Sequence, residues 1–273
     1  MPATTLSYGS IDLFLDSLSV NGHPANTVRA YRADLTGLLL AVGETPLTEL
    51  EVRAAMYLNL ERANWKPKTT LRKLTAFRKF AKWAQLPNFL AEYRGPTPAK
   101  PVPHPLPEGI AGVMAMIEAC GVSRRRRALI AMTGLCGLRV GEAIAAVPSW
   151  VNLDERLLTV RGKGDKERII PISTNAYPVL ANAVQTAVIY DNERLCPYKD
   201  RWARQLISAV GVRALGHPVP SHDLRATFAT SVYRATKDIR VVQELLGHSS
   251  VEQSQVYTEI AMTSMRDAVE LAA

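Results

Sequence analysis

Six side chains in the second half of the chain are of types that work on oxyanions: Arg139, Lys163, His222, Arg225, His248 and Tyr257. Guanidinium groups are permanently charged, planar, bidentate donors. Ammonium and imidazole groups donate and move protons, and a phenol becomes a nucleophile when nearby cations favour the phenolate. Taken singly, each residue has an ordinary reading. Arg139, in Gly137-Leu-Arg-Val-Gly-Glu142, is spaced for an i,i+3 ion pair with Glu142, worth little if exposed. The two glycines do not make a phosphate loop, because the Lys-Ser/Thr that completes one is missing. Lys163 stands between two glycines at a turn, where a lysine either solubilises the turn or reaches into a substrate.

In Ser221-His-Asp-Leu-Arg225, Ser221 can cap a helix whose first turn puts His222 and Arg225 on one face. Leu224, Phe228 and Val232 define the opposite, buried side. Gly247 is a natural helix terminator, which leaves His248 in the loop beyond it. Tyr257 alone would be a half-buried tyrosine. No further His or Cys lies at ligand spacing, so a zinc site is not expected. The order is more informative than any member. An arginine, a hairpin lysine, His-x-x-Arg, Gly-His and a tyrosine fit one specific reaction.

The elements that position these groups are mostly helical. Patterns over Glu108–Cys120 and Arg124–Leu135 precede Arg139, and Arg124–Arg127 reads as mostly solvated surface, since four consecutive arginines point around the helix. Leu157–Val160 and Arg168–Ile172 are short β-branched or apolar runs around a turn-rich segment, which predicts an antiparallel hairpin. Helices are expected over Asn175–Tyr190, Asp200–Val210, Leu224–Ala235, Ile239–Leu246 and 260–271.

Upstream, the patterns predict a bundle of four helices with no strand: Ile11–Val20, a second capped by Asn26 or Thr27, a third capped by Thr48 with Glu51 as a capping box, and Pro67–Gln85. Between Arg62 and Lys82 lie eight basic residues and no acid. One-signed charge of this length suits a phosphate backbone, so Lys66, Lys68, Arg72, Lys73, Arg78, Lys79 and Lys82 are the candidate nucleic-acid contacts. The stretch 94–107 holds six prolines, too many for a helix, and reads as an extended linker. The expected organisation is therefore residues 1–93, a linker at 94–107, and residues 108–273.

Composition agrees with a nucleic-acid partner. The chain has 273 residues, 47% hydrophobic and 21% charged, which excludes disordered and fibrous classes. Lys plus Arg is 33 against 25 Asp plus Glu, a formal charge of +8 that favours a polyanion. Three widely spaced cysteines argue against a disulfide framework and for a cytosolic chain. The first ten residues carry no secretory pattern, and no apolar run is long enough to span a bilayer.

The chain resembles the tyrosine recombinases, the phage integrases and Xer-type recombinases. The resemblance rests on Gly137-Leu-Arg-Val-Gly-Glu142, Gly162-Lys-Gly-Asp-Lys-Glu-Arg168, His222-Asp-Leu-Arg-Ala-Thr-Phe-Ala-Thr230, Leu245-Leu-Gly-His-Ser-Ser250 and Tyr257, in the family order. It implies a mainly α fold: an N-terminal four-helix core-binding bundle, and an α-rich catalytic domain with a small antiparallel β-sheet. It implies Tyr257 as nucleophile and Arg139 and Arg225 as ligands of the scissile phosphate. Lys163 would be the acid for the leaving oxygen, His222 would assist proton movement, His248 would donate to the phosphate, and Glu142 would support the first arginine. Two positions depart from the family pattern: Ala226 stands where His is frequent, and 251–256 lacks the usual threonines.

The same resemblance implies a site-specific recombinase that forms a 3′-phosphotyrosine and needs neither metal nor ATP. Its partner would be double-stranded DNA at core or attachment sites, bound as a homotetramer with the C-terminal helix exchanged between protomers, and as a monomer without DNA. Accessory DNA-bending or directionality proteins can join such assemblies. The bacterial nucleoid is the expected location, or the host cytoplasm for a phage-encoded protein. No arm-binding domain is expected, since helices begin near Ile11. The leading role is integration and excision of a phage or mobile element. A Xer-like chromosome or plasmid dimer resolvase, and a non-catalytic DNA-binding regulator on the same scaffold, are the alternatives.

Overall fold

The computed structural model describes residues 4–61, 63–86, 88–97, 104–162 and 167–247. Lys163, His248, Tyr257, Arg62, residues 98–103 of the proline-rich stretch and the expected helix at 260–271 lie outside the described residues. The chain divides into two compact units, Met1–Lys100 and Pro101–Ala273. It is mainly α with small antiparallel sheets, as its hydrophobic periodicity requires.

The first unit holds α1 (Tyr8–Val20), α2 (Ala25–Val42), α3 (Leu47–Glu61) and α4 (Pro67–Trp83). Two-residue strands β1 (Thr5–Leu6) and β2 (Thr45–Pro46) pair antiparallel beside them, a detail too short for alternation to reveal. Apolar faces of all four helices meet around Phe14, Leu35, Leu50, Phe77 and Phe80. Phe14 and Phe80 pack edge to face at 5.6 Å between centroids. The ends differ from expectation. α2 starts at Ala25 after Pro24, whose fixed φ starts a helix without a side-chain cap. α3 starts at Leu47, and Glu51 accepts a hydrogen bond from the distant Leu90 amide instead of closing a capping box.

The second unit is built around α6 (Arg124–Gly134), every residue of which from Ala128 to Gly134 is buried. α5 (Gly109–Ala119), α8 (Tyr177–Ile189), α9 (Asp200–Leu215) and α10 (Ser221–Thr236) pack on it. A short α7 (Val140–Ala145) follows α6, and α11 (Ile239–Leu246) follows α10. The sheet has three strands in the order β3 (Val151–Asn152), β4 (Leu157–Arg161), β5 (Glu167–Pro171). The expected hairpin is therefore the β4–β5 pair, with Val160 opposite Arg168 and Arg161 opposite Glu167. The short α7 and β3 were not expected. α10 is longer than expected, starting at Ser221 with Pro220 before it, and the Ser221 hydroxyl accepts from Arg204 at 3.0 Å.

The turn from α6 to α7 depends on Gly137, at φ +68°. A Cβ there would lie 2.3 Å from Phe228 Cδ1 and 3.1 Å from Leu246 Cδ2, so α10 and α11 close directly over its backbone. Gly137→Ala combines left-handed strain with overpacking and is expected to cost ~2–4 kcal/mol. Urea unfolding of the full chain measures it, and an unchanged midpoint would mean that Phe228 swings aside freely.

Candidate functional site

The site is a cluster of charge at the junction of α7, β5, α10 and α11. Arg139 precedes α7 in extended conformation, which turns its backbone N–H toward the Glu142 carboxylate at 2.8 Å. Its guanidinium donates to the same carboxylate at 2.9 Å and keeps 44% of its side chain exposed. The expected Arg139–Glu142 pair therefore exists, but it is one spoke of a larger network. Arg168, on the inward face of β5, donates through both terminal nitrogens to Glu142, at 3.1 and 2.8 Å, and through Nε to the Leu245 carbonyl at 2.9 Å. One carboxylate thus holds two guanidinium groups from two elements, and Arg168 carries the connection on to the end of α11.

Burial by itself would raise the Glu142 carboxyl. The hydrogen bonds and charge of Arg168, then those of Arg139, overrule it and hold the group at about 2. Glu142 is therefore a fixed negative charge at any pH where the protein works.

Arg225 is 3% exposed, which corrects the expectation that it shares an open face with His222. The reason is that α10 is gripped on that side by the Gly137 turn and the end of α11. Arg225 donates to the Gly137 carbonyl at 2.5 Å and to the Leu246 carbonyl at 2.6 Å, and lies 3.8 Å from the nearer Glu142 oxygen. A buried guanidinium needs such acceptors, since its desolvation is otherwise prohibitive. His222, three residues earlier, stays at the surface. Its pKa is lowered by partial desolvation first, then by the charges of Arg225, Arg204 and Arg139. The imidazole is neutral near pH 7 and can accept as well as donate a proton.

The described residues thus bring Arg139, Glu142, His222 and Arg225 together. The hairpin that carries Lys163 is closed at its base by an Arg161–Glu167 pair at 2.7 Å, and Gly247 ends α11 in left-handed conformation where the chain leads to His248. Sequence reasoning missed the role of Arg168. The signal was present: alternation along β5 places it inward with the buried Ile170, where a charged side chain must find a partner. Arg204 was missed as well, and its only sequence signal is the i,i+4 spacing to Asp200. Among the described residues no three His, Cys, Asp or Glu side chains are grouped to hold a metal ion.

The basic face of α4 is divided between structure and surface. Arg72 pairs with the buried Asp34 carboxylate, and Lys73 lies 3.5 Å from the same group and 4.4 Å over the Trp65 ring. Arg78 donates to the Leu90 and Tyr93 carbonyls at 2.7 and 3.1 Å. Those three help hold the first unit together. Lys66, Lys68 and Lys82 stand exposed, and Lys79 sits over the Tyr31 ring at 5.8 Å.

Residues 110–264 match the phage integrase family, and residues 11–86 match the phage integrase N-terminal SAM-like domain. The chain belongs to the phage integrase family. Its members, the tyrosine recombinases, are site-specific DNA breaking–rejoining enzymes, and this chain is one of them. It is 31% identical to tyrosine recombinase XerD of Pseudomonas putida over 97% of each chain. It is 30% identical to XerC of Chromobacterium violaceum, over 92% of this chain and 90% of that one. The fold matches a lambda integrase dimer bound to a core site, with a TM-score of 0.71, 19% identity, and 92% and 94% of the two chains covered. XerA recombinase matches over 97% and 98% at a TM-score of 0.55 and 27% identity. No helix among the described residues is long and apolar enough to cross a membrane.

Glu142 is held below its ordinary value of 4.5 in the folded chain, so its contribution to stability is full above that pH and fades as pH falls toward about 2. Glu142→Gln is expected to cost about 3 kcal/mol near neutral pH, with the gap from wild type closing in acid. Denaturant titrations at a series of pH values measure it. A gap that persists unchanged at low pH would assign the loss to packing instead of charge.

Proposed function

We propose that this recombinase cleaves and rejoins DNA through Tyr257. The observation that supports it is the convergence of one exposed and one buried guanidinium, Arg139 and Arg225, beside the neutral His222. A phosphodiester passing through a crowded, highly charged state needs permanent cations on its nonbridging oxygens, and two arginines provide them. Attack by Tyr257 Oη forms a new O–P bond and breaks the bond to the 5′ oxygen, which leaves with a proton from Lys163. His222 assists proton movement, and His248 donates to the phosphate. The 3′-phosphotyrosine retains the energy of the broken bond, so the 5′ hydroxyl of another strand can attack and reseal. The reaction then requires no ATP, and the arginines fill the role that metal ions take in two-metal nucleases. Exposed Lys66, Lys68 and Lys82, with the half-buried Lys79, would follow the DNA backbone.

Exchange between two duplexes calls for four active sites, hence a tetramer on DNA in which the segment 260–271 packs on a neighbouring protomer. Accessory DNA-bending or directionality proteins can join that assembly in the nucleoid or host cytoplasm. The leading role is integration and excision of a phage or mobile element. Full-length similarity to XerC and XerD supports a second reading, resolution of chromosome or plasmid dimers. Recombination between two identical sites, but not between two different attachment sites, would favour the second.

A nicked suicide duplex carrying the recombination site is expected to give a denaturation-stable protein–DNA adduct. Tyr257→Phe should abolish the adduct while binding survives. Equal adduct from Tyr257→Phe would assign the nucleophile elsewhere, and binding without any wild-type adduct would make the chain a DNA-binding regulator.

A further inference from the structure

Arg168 reaches the site from the hairpin and is bound up inside the protein. It is the second residue of β5, opposite Val160 of β4, and its side chain is only 10% exposed. Nη1 and Nη2 donate to the two oxygens of Glu142 at 3.1 and 2.8 Å, and Nε donates to the Leu245 carbonyl at 2.9 Å. A guanidinium turned inward in this way is poorly placed to grip a substrate phosphate. Its geometry fits the other use of an arginine fork, which is to fix a carboxylate in one orientation.

That carboxylate is shared. Oε1 accepts from Arg139 Nη1 at 2.9 Å as well as from Arg168, and Oε2 accepts from the Arg139 backbone N–H at 2.8 Å as well as from Arg168. Arg225 Nη1 stands 3.8 Å from Oε2. Guanidinium groups from the turn before α7, from β5 and from α10 therefore face one carboxylate, while α11 adds the carbonyl oxygens of Leu245 and Leu246. Removing Arg168 frees the carboxylate to turn onto Arg139 or Arg225 with both oxygens. Either choice neutralises a cation that a phosphate ligand needs. The same side chain also fills the space at the end of α11. A Cβ on Gly247 would lie 3.0 Å from Arg168 Cδ and 3.3 Å from its Nη1, so the chain leaves α11 pressed against Arg168.

We propose that Arg168 is a positioning residue of the recombinase: it holds Glu142 so that Arg139 keeps its free donors for the scissile phosphate, and it seats the end of α11 against the hairpin. The inference rests on the reading of Arg139 as a ligand of that phosphate and extends it to a residue that touches no substrate. The ionisation of Glu142 depends on the same contacts, since the hydrogen bonds and charge of Arg168 are the strongest influences opposing its desolvation. Without Arg168 the carboxyl keeps Arg139 and the more distant Arg225 as its cations. Its pKa then rises from about 2, and it takes up a proton at a pH where wild type stays ionised.

Single-turnover cleavage of the nicked suicide duplex by saturating full-length protein tests this, beside binding of the same duplex. R168M keeps the apolar stem and should form adduct about 100-fold more slowly, the scale of a slightly misplaced reacting group, with affinity within about twofold of wild type. R168K keeps the charge, but one ammonium cannot span both Glu142 oxygens and the Leu245 carbonyl. It should be slowed about tenfold, and it carries the test if R168M does not fold. Relative to wild type, the R168M rate should fall further as pH is lowered, and E142Q/R168M should lose that extra fall. An arginine with a structural role alone would lower the melting temperature and leave the cleavage rate of the DNA-bound protein, and its pH profile, unchanged; that result overturns the proposal. So does a loss of cleavage matched by an equal loss of affinity, or full rescue by R168K. Equal rates for wild type and R168M, with the adduct abolished by Tyr257→Phe, strike the positioning role alone. A wild type that forms no adduct strikes the Tyr257 reading, and this one with it.

Discussion

A guanidinium as deeply buried as that of Arg225 persists only where acceptors replace the water it has lost, and the active half of this chain is arranged around that requirement. The Gly137 and Leu246 carbonyls supply direct acceptors, and the Glu142 carboxylate lies 3.8 Å away. To offer those carbonyls, the chain must turn sharply after α6 and end α11 abruptly. Both turns fall on glycines in left-handed conformation, Gly137 and Gly247. The cost of burying one cation thus sets the backbone path on two sides of the site.

Glu142 balances more than one partner. Arg139 and Arg168 reach it from two elements, and Arg168 extends the network to the Leu245 carbonyl. The β4–β5 hairpin, the turn that holds Arg139 and the end of α11 are therefore linked through two side chains. Hydrogen bonds between charged groups in a low-dielectric setting couple strongly, so these elements hold their mutual positions better than separate surface pairs would. A carboxylate that stays ionised also lets two like-charged guanidinium groups stand close together, which a phosphate site requires.

The basic surfaces show charge put to different uses. On α4, Arg72, Lys73 and Arg78 answer internal partners, and only part of the run remains for a ligand. At the start of α6, Arg124 and Arg125 donate to the neutral Thr186 and Asn192 side chains. A count of charges along a sequence does not separate these cases, because the partners lie far away in the chain. Asp34, for example, is 38 residues from Arg72.

The sequence by itself determined the family, the helical character of both halves and the β4–β5 hairpin. Those are carried by local periodicity and by motifs, which depend on residues close together in the chain. The end of α11 at Gly247 was legible for the same reason. Only the tertiary structure decided that Arg225 is buried while Arg139 is exposed, that Arg168 joins Glu142 to the end of α11, and that Arg125 meets Asn192. Each of those facts depends on contacts between segments distant in sequence, where burial and the direction of a hydrogen bond are properties of packing and have no signature in the residue type alone.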